Sequence, residues 1–101
     1  MPYTIELARS AEAELKALRV FDQRRIVDEV EDKLSEEPEV ATRNRKFLGM
    51  VVAGFGYVPP LWELRIGEYR IFYDVDRDAA TVFVRAIRRK QPGHTTEEII
   101  R

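Results

Sequence analysis

Residues 61–76 read Leu-Trp-Glu-Leu-Arg-Ile-Gly-Glu-Tyr-Arg-Ile-Phe-Tyr-Asp-Val-Asp. Two runs of β-branched, aromatic and aliphatic residues, Leu61–Ile66 and Tyr69–Val75, flank the pair Gly67-Glu68. A two-residue loop with glycine first suits a type II′ turn, whose first central residue needs positive φ. That turn predicts a hairpin with a fixed register: Ile66 opposite Tyr69, Arg65 opposite Arg70, Leu64 opposite Ile71, Glu63 opposite Phe72 and Trp62 opposite Tyr73. Alternation then sorts the side chains into two faces. One face collects Trp62, Leu64, Ile66, Tyr69, Ile71, Tyr73 and Val75 and is apolar throughout. The other collects Glu63, Arg65, Arg70, Phe72 and Asp74 and reads as polar. A slip of one residue destroys both sets.

Arg65 and Arg70 fall directly across from each other on the polar face. Like charges at such a position repel, so something offsets them. Glu63 and Asp74 are near enough in register to pair with them. The other reading is an anion: two planar forks of donors on a rigid sheet suit a phosphate.

Working outward, Tyr3–Leu7 alternates as a short first strand. Ala8, Ala11, Leu15 and Leu18 then recur at helical spacing, with Ser10 as the expected cap. Asp22 is the next expected cap, followed by the stripe Ile26, Val27, Val30 and Leu34, and Pro38 stops that helix. Two such helices joined near Arg19–Phe21 form a hairpin able to cover the apolar face of the sheet. Arg43–Pro60 carries three glycines and two prolines and reads as a basic approach followed by an irregular loop over Met50–Val58. Its Gly54-Phe55-Gly56 lacks the Lys-Ser/Thr of a phosphate loop. Thr81–Ile87 is a third strand, with Val82, Val84 and Ala86 on one side and Phe83, Arg85 and Ile87 on the other. Pro92-Gly93 makes a turn, and Thr95-x-x-Glu98 is a capping box for a last short helix. The expected fold class is α+β: a two-helix hairpin on one face of a small, mostly antiparallel twisted sheet, with a short C-terminal helix, in a single domain over residues 1–101.

The 101 residues include no cysteine and one histidine. Disulfides, thiol catalysis and thiolate metal sites are excluded, and no carboxylate cluster has a recognisable metal spacing, so no cofactor or metal is expected. No apolar run approaches the roughly 20 residues of a membrane span, and no signal peptide is legible, which points to the cytoplasm. The net charge of −1 hides an asymmetry: residues 1–40 sum to −5 and residues 41–101 to +4. The basic groups gather at Arg43, Arg45 and Lys46 and at Arg85, Arg88, Arg89 and Lys90. They read either as a solvated surface or as a footprint for a polyanion, although the pI near 5.9 is below the ~9 common among nucleic-acid-binding domains.

The run over 61–76, the valine-rich strand after it, Arg85-Ala86-Ile87-Arg88-Arg89-Lys90 and the opening Tyr3–Leu18 together resemble the RelE/ParE toxin superfamily in order along nearly the whole chain. The most specific parts are Leu64-Arg65, Tyr69-Arg70 and Tyr73-Asp74-Val75. The resemblance implies a prokaryotic toxin of a type II toxin–antitoxin pair, neutralised by an antitoxin that wraps over it. RelE-like members enter the ribosomal A site and cleave mRNA; ParE-like members inhibit DNA gyrase. Carried over from RelE-like relatives, Arg70 is a phosphate-binding catalytic residue, and the arginine after the last strand corresponds to Arg89, with Arg88 as the alternative. Glu63 matches a base of some relatives, and His94 stands near the place of a C-terminal tyrosine or histidine. The family's basic residues on the preceding strand are replaced here by Leu61 and Glu63. The expected chemistry is attack of an RNA 2′-hydroxyl on its own phosphate, without metal. Glu63 or His94 serves as base, and Arg65, Arg70 and Arg89 stabilise the phosphorane. Arg43, Arg45, Lys46, Arg85, Arg88 and Lys90 are expected to hold the RNA backbone.

Overall fold

The computed structural model describes residues 2–101. The elements are β1 (Thr4–Leu7), α1 (Arg9–Lys16), α2 (Val20–Leu34), β2 (Arg45–Gly49), β3 (Leu61–Ile66), β4 (Tyr69–Asp76), β5 (Thr81–Arg89) and α3 (Thr96–Ile99). They build one five-stranded sheet in the order β1-β5-β4-β3-β2. All pairings are antiparallel except β1 with β5, which is parallel.

The β3–β4 hairpin has the expected register from Trp62↔Tyr73 to Ile66↔Tyr69. Gly67 has φ +56°, and Glu68 is not among the positive-φ residues, which is the type II′ combination rather than type I′. On one face, Trp62, Leu64, Ile66, Tyr69, Ile71 and Tyr73 join Val82 and Val84 in a core with Ala11 and Leu15 of α1 and Ile26, Val30 and Leu34 of α2. These helices use good helix formers with apolar residues at spacings of three and four, so each has one side to bury.

The helix starts differ from expectation. The N-caps are Ala8 and Arg19, and neither makes a side-chain capping bond. Ser10 lies inside α1, and its hydroxyl donates to the Arg85 carbonyl at 2.9 Å. Asp22 lies in the first turn of α2 and accepts from Arg19 Nε at 2.9 Å. The chain over Arg45–Gly49 is a strand, not an approach segment: it pairs with β3 as the sheet's edge.

The larger correction concerns the far face. Glu63, Arg70, Phe72 and Asp74 are buried, and of the expected polar face only Arg65 is exposed. Leu61, Phe72, Ala86 and Ile100 form a second core, packed by Leu48, Val51, Phe55, Tyr57 and Ile99. The segment over Met50–Val58 and the C-terminal helix therefore close over this side. Thr95 caps α3 with both bonds of the capping box. Gly54 permits the closure: its amide donates to the Ile100 carbonyl at 2.7 Å, and a Cβ there would collide with the Arg101 carbonyl carbon.

A bulge in β5 completes the difference. Phe72 pairs with Ala86 but Tyr73 pairs with Val84, so Arg85 is the extra residue. Alternation resumes out of phase beyond it. Ile87 joins the helix-side core and Ala86 the far-side core, the reverse of a regular strand.

Candidate functional site

The bulge decides which arginines meet. Arg65 pairs with Arg70, and Arg70 pairs with Arg88. Directly paired residues share a face, and neighbouring strands are about 4.8 Å apart. Three arginines thus stand in a row across β3, β4 and β5, at the end of the far face next to the Gly67-Glu68 turn. Arg89 pairs with Tyr69 on the helix side and binds Glu68, with Nε and Nη2 each 3.0 Å from Oε2.

The three arginines of the row differ in what they hold. Arg65 is exposed and, among the described residues, makes no ion pair. Arg70 is 8% exposed, and its Nη1 donates to the carbonyls of Gly67 and Tyr69 at 2.9 Å each. Burial lowers its pKa, the neighbouring Arg65 lowers it further, and Glu63 opposes both. A guanidinium starts so high that Arg70 stays a cation near neutrality. Arg88 is a bracket: Nη1 donates to the carbonyls of Ile99 at 2.8 Å and Arg101 at 3.0 Å. Its Nε is 2.6 Å from Glu14 Oε2 without hydrogen-bond alignment, and its guanidinium sits 5.5 Å from the Phe55 ring centroid.

Glu63 lies two residues before Arg65 on β3 and is paired with Lys46 on one side and Phe72 on the other. It is 5% exposed and forms no ion pair among the described residues. The Thr96 hydroxyl donates to its Oε2 at 3.1 Å. A carboxylate, two unpaired or half-engaged guanidiniums and the exposed Lys46 thus share one patch at the rim of α3. Such a patch can hold a phosphodiester and take a proton from a neighbouring hydroxyl.

Other expected site residues lie elsewhere. Arg45 Nη1 donates to the carbonyls of Lys33 and Glu37 at 2.7 Å each, which closes the C-terminal end of α2. Arg85 makes a two-pronged contact with buried Asp74, at 2.6 and 3.1 Å. Asp74 therefore does not serve the Arg65–Arg70 pair. His94 is exposed in the turn before α3, with Nδ1 3.1 Å from Glu98 Oε2. Glu98 is held below the usual carboxylate range by the Thr95 amide first and then by His94 and the Thr95 hydroxyl. Arg43 is exposed, and Lys90 is half-buried with its amide donating to the Glu68 carbonyl at 2.7 Å. Thr96, Glu14 and Phe55 touch the patch or its bracket without having stood out in the sequence. The available signal was Phe72, a large apolar residue assigned to a polar face, which had to have a cover.

The sequence model described as the ParE toxin of the type II toxin–antitoxin system, parDE, matches residues 5–92. No curated protein matches the chain. Among solved structures, the toxin–antitoxin complex RelBE2 from Mycobacterium tuberculosis matches at 27% identity and TM-score 0.71, covering 89% of this chain and 93% of that one. The archaeal RelE–RelB complex from Pyrococcus horikoshii OT3 matches at 21% identity and TM-score 0.68, covering 94% of this chain and 100% of that one. The isolated E. coli RelE toxin matches at 20% identity and TM-score 0.69, covering 95% and 93%. The last two speak for the fold alone. The matched span takes in α1, α2, the whole β3–β4 hairpin and the arginine row, and on it the chain belongs to the RelE/ParE superfamily of toxins from type II toxin–antitoxin systems.

Proposed function

We propose that this toxin is a ribosome-dependent mRNA endoribonuclease, kept inactive by a cognate antitoxin protein. The observation that carries the reading is the Arg65–Arg70 pair, two guanidiniums forced together on a rigid hairpin beside Glu63. The repulsion between them is relieved when a phosphate stands between them. In the reaction, Glu63 takes the proton of an RNA 2′-hydroxyl. The 2′-oxygen bonds to the adjacent phosphorus, and the bond to the 5′-oxygen breaks, leaving a 2′,3′-cyclic phosphate. Arg65 and Arg70 stabilise the added charge on the phosphorane. His94, the chain's one imidazole, is the candidate donor of a proton to the departing 5′-oxygen. Thr96 orients Glu63. Complexes of RelE with RelB in two relatives support a protein antitoxin as the partner.

A second reading is inhibition of DNA gyrase without RNA cleavage. The commitment of Arg88 to α3 and Glu14 favours it, because only two of the three arginines are then free for a phosphorane. Induction of the protein in cells separates the two. The nuclease produces codon-phased ends on primer extension of cellular mRNA, and Arg70→Ala abolishes both the ends and the growth arrest. Intact mRNA with an induced DNA-damage response contradicts cleavage and supports gyrase.

A further inference from the structure

A second cationic cleft lies on the helix side of the same turn. It has a volume of about 600 Å³ and is lined by Arg19, Phe21, Asp22, Arg25, Tyr69 and Arg89 together with Gly67-Glu68. That is a normal size for a small-ligand site. Two of its arginines are balanced by its two carboxylates. Arg19 Nε is 2.9 Å from Asp22 Oδ2, and Arg89 pairs with Glu68. Asp22 also accepts from the Tyr69 hydroxyl at 3.1 Å, so its oxygens are committed inside the cleft wall. Arg25 is the excess charge. Among the described residues it makes no ion pair, and its guanidinium lies over the turn, within 2.8–3.1 Å of where a Cβ on Gly67 would stand. A side chain at residue 67 would displace it. The cleft therefore carries one unbalanced positive charge in a fixed place.

Its rim carries an aromatic ring in water. Phe21 is 69% exposed, and the Arg19 guanidinium lies 5.7 Å from its centroid. The ring contributes nothing to the core it sits beside. An exposed ring and an unpaired guanidinium lining one cleft match the two parts of a nucleotide: a base with a flat face to stack and one phosphodiester charge. An acidic peptide would engage Arg25 but leave Phe21 without a partner.

We infer that this cleft binds one nucleotide of a single-stranded nucleic acid, with the base stacked on Phe21 and the phosphate on Arg25. It is separate from the Arg65–Arg70 patch, from which it is divided by the sheet, and the inference holds whether or not that patch cleaves RNA. The two sites flank one turn, so a strand leaving one passes Gly67-Glu68 to reach the other.

The test is an NMR titration of the full chain with the dinucleoside monophosphate UpU, reading backbone amides. The expected shifts centre on residues 19–25 and 67–69. Phe21→Ala should weaken the titration by about fivefold or more, the value of one stacked base. Arg25→Ala should weaken it and lessen its salt dependence, by about 0.7 in the logarithmic slope for the one lost phosphate contact. Arg65→Ala, exposed on the other face of the sheet, should leave the shifts at residues 19–25 unchanged, and the spectra of the variants report directly on their folding. Four results overturn the inference: no shifts at all, shifts confined to the Arg65–Arg70 face, equal shifts from inorganic phosphate at the same concentration, or tighter binding of a glutamate-rich peptide than of UpU.

Discussion

The two faces of the sheet are made by alternate residues of the same strands, yet they are finished in different ways. The helix face is covered along its length by α1 and α2, and Ile71, Tyr73, Val82 and Val84 on it are fully buried. The far face is divided. Away from the hairpin turn, Leu61, Phe72 and Ala86 are sealed by α3 and the segment over Met50–Val58. At the turn end, the row Arg65, Arg70 and Arg88 lies at the rim of that cover, with Arg65 exposed, Arg70 buried and Arg88 between the two. A small chain that needs two sheet faces for a core leaves only the turn end of one face uncovered, and the cover of the rest is fastened by a member of the row itself, Arg88.

The comparison breaks most visibly if the far side is not a true core. Phe72→Ala removes a fully buried ring and should destabilise the protein by about 3–5 kcal/mol, on the same scale as the ~2–5 kcal/mol of Ile71→Ala on the helix face. Urea unfolding of the two variants decides it, and a Phe72→Ala cost under about 1 kcal/mol means that α3 and the loop are a loose covering. Thr95→Ala tests the cover from its other end. Loss of the capping box should cost about 1 kcal/mol, with heavier proteolysis confined to the C-terminal segment while β3 and β4 stay protected.

The smallest effect concerns Asp22 at the rim of the helix face. Arg19 and the Tyr69 hydroxyl lower its pKa below the ordinary 3.8 against the opposing effect of desolvation. A depressed carboxylate adds stability above its unfolded pKa and loses it as pH falls through the folded one. Between pH 5 and pH 3 the melting temperature of the wild type should therefore fall further than that of Asp22→Asn. Equal falls would show that the Arg19 pair does not hold the carboxylate.

What was legible follows from how local each determinant is. Gly67-Glu68 fixes the hairpin register, and the helical stripes mark the cover of one face, since both are set by residues within a turn of one another. The Arg85 bulge is invisible in sequence, because Thr81–Arg89 alternates plausibly in either phase. It turns Arg89 to the helix side and puts Arg88 beside Arg70. The edge strand Arg45–Gly49 was hidden by its charges and by the glycine at its end, which suit an approach loop equally well. Val51, Phe55 and Tyr57 follow no helical or strand period, so their role as a lid over Phe72 emerges only once Phe72 is seen to need one. Glu63 and Arg70 were legible as neighbours; their burial, which depends on that lid, was not.

The most direct test of the arginine row uses purified toxin, ribosomes carrying a defined codon in the A site, and labelled mRNA. The wild type should cut the message within that codon, and Arg65→Ala and Arg70→Ala should each slow cutting by about 10²–10³, the usual cost of removing one charge-stabilising donor, with an unchanged melting curve for the exposed Arg65→Ala and a folded spectrum at the assay temperature for the buried Arg70→Ala. Message left intact by the wild type, or cut at full rate by both variants, contradicts the account.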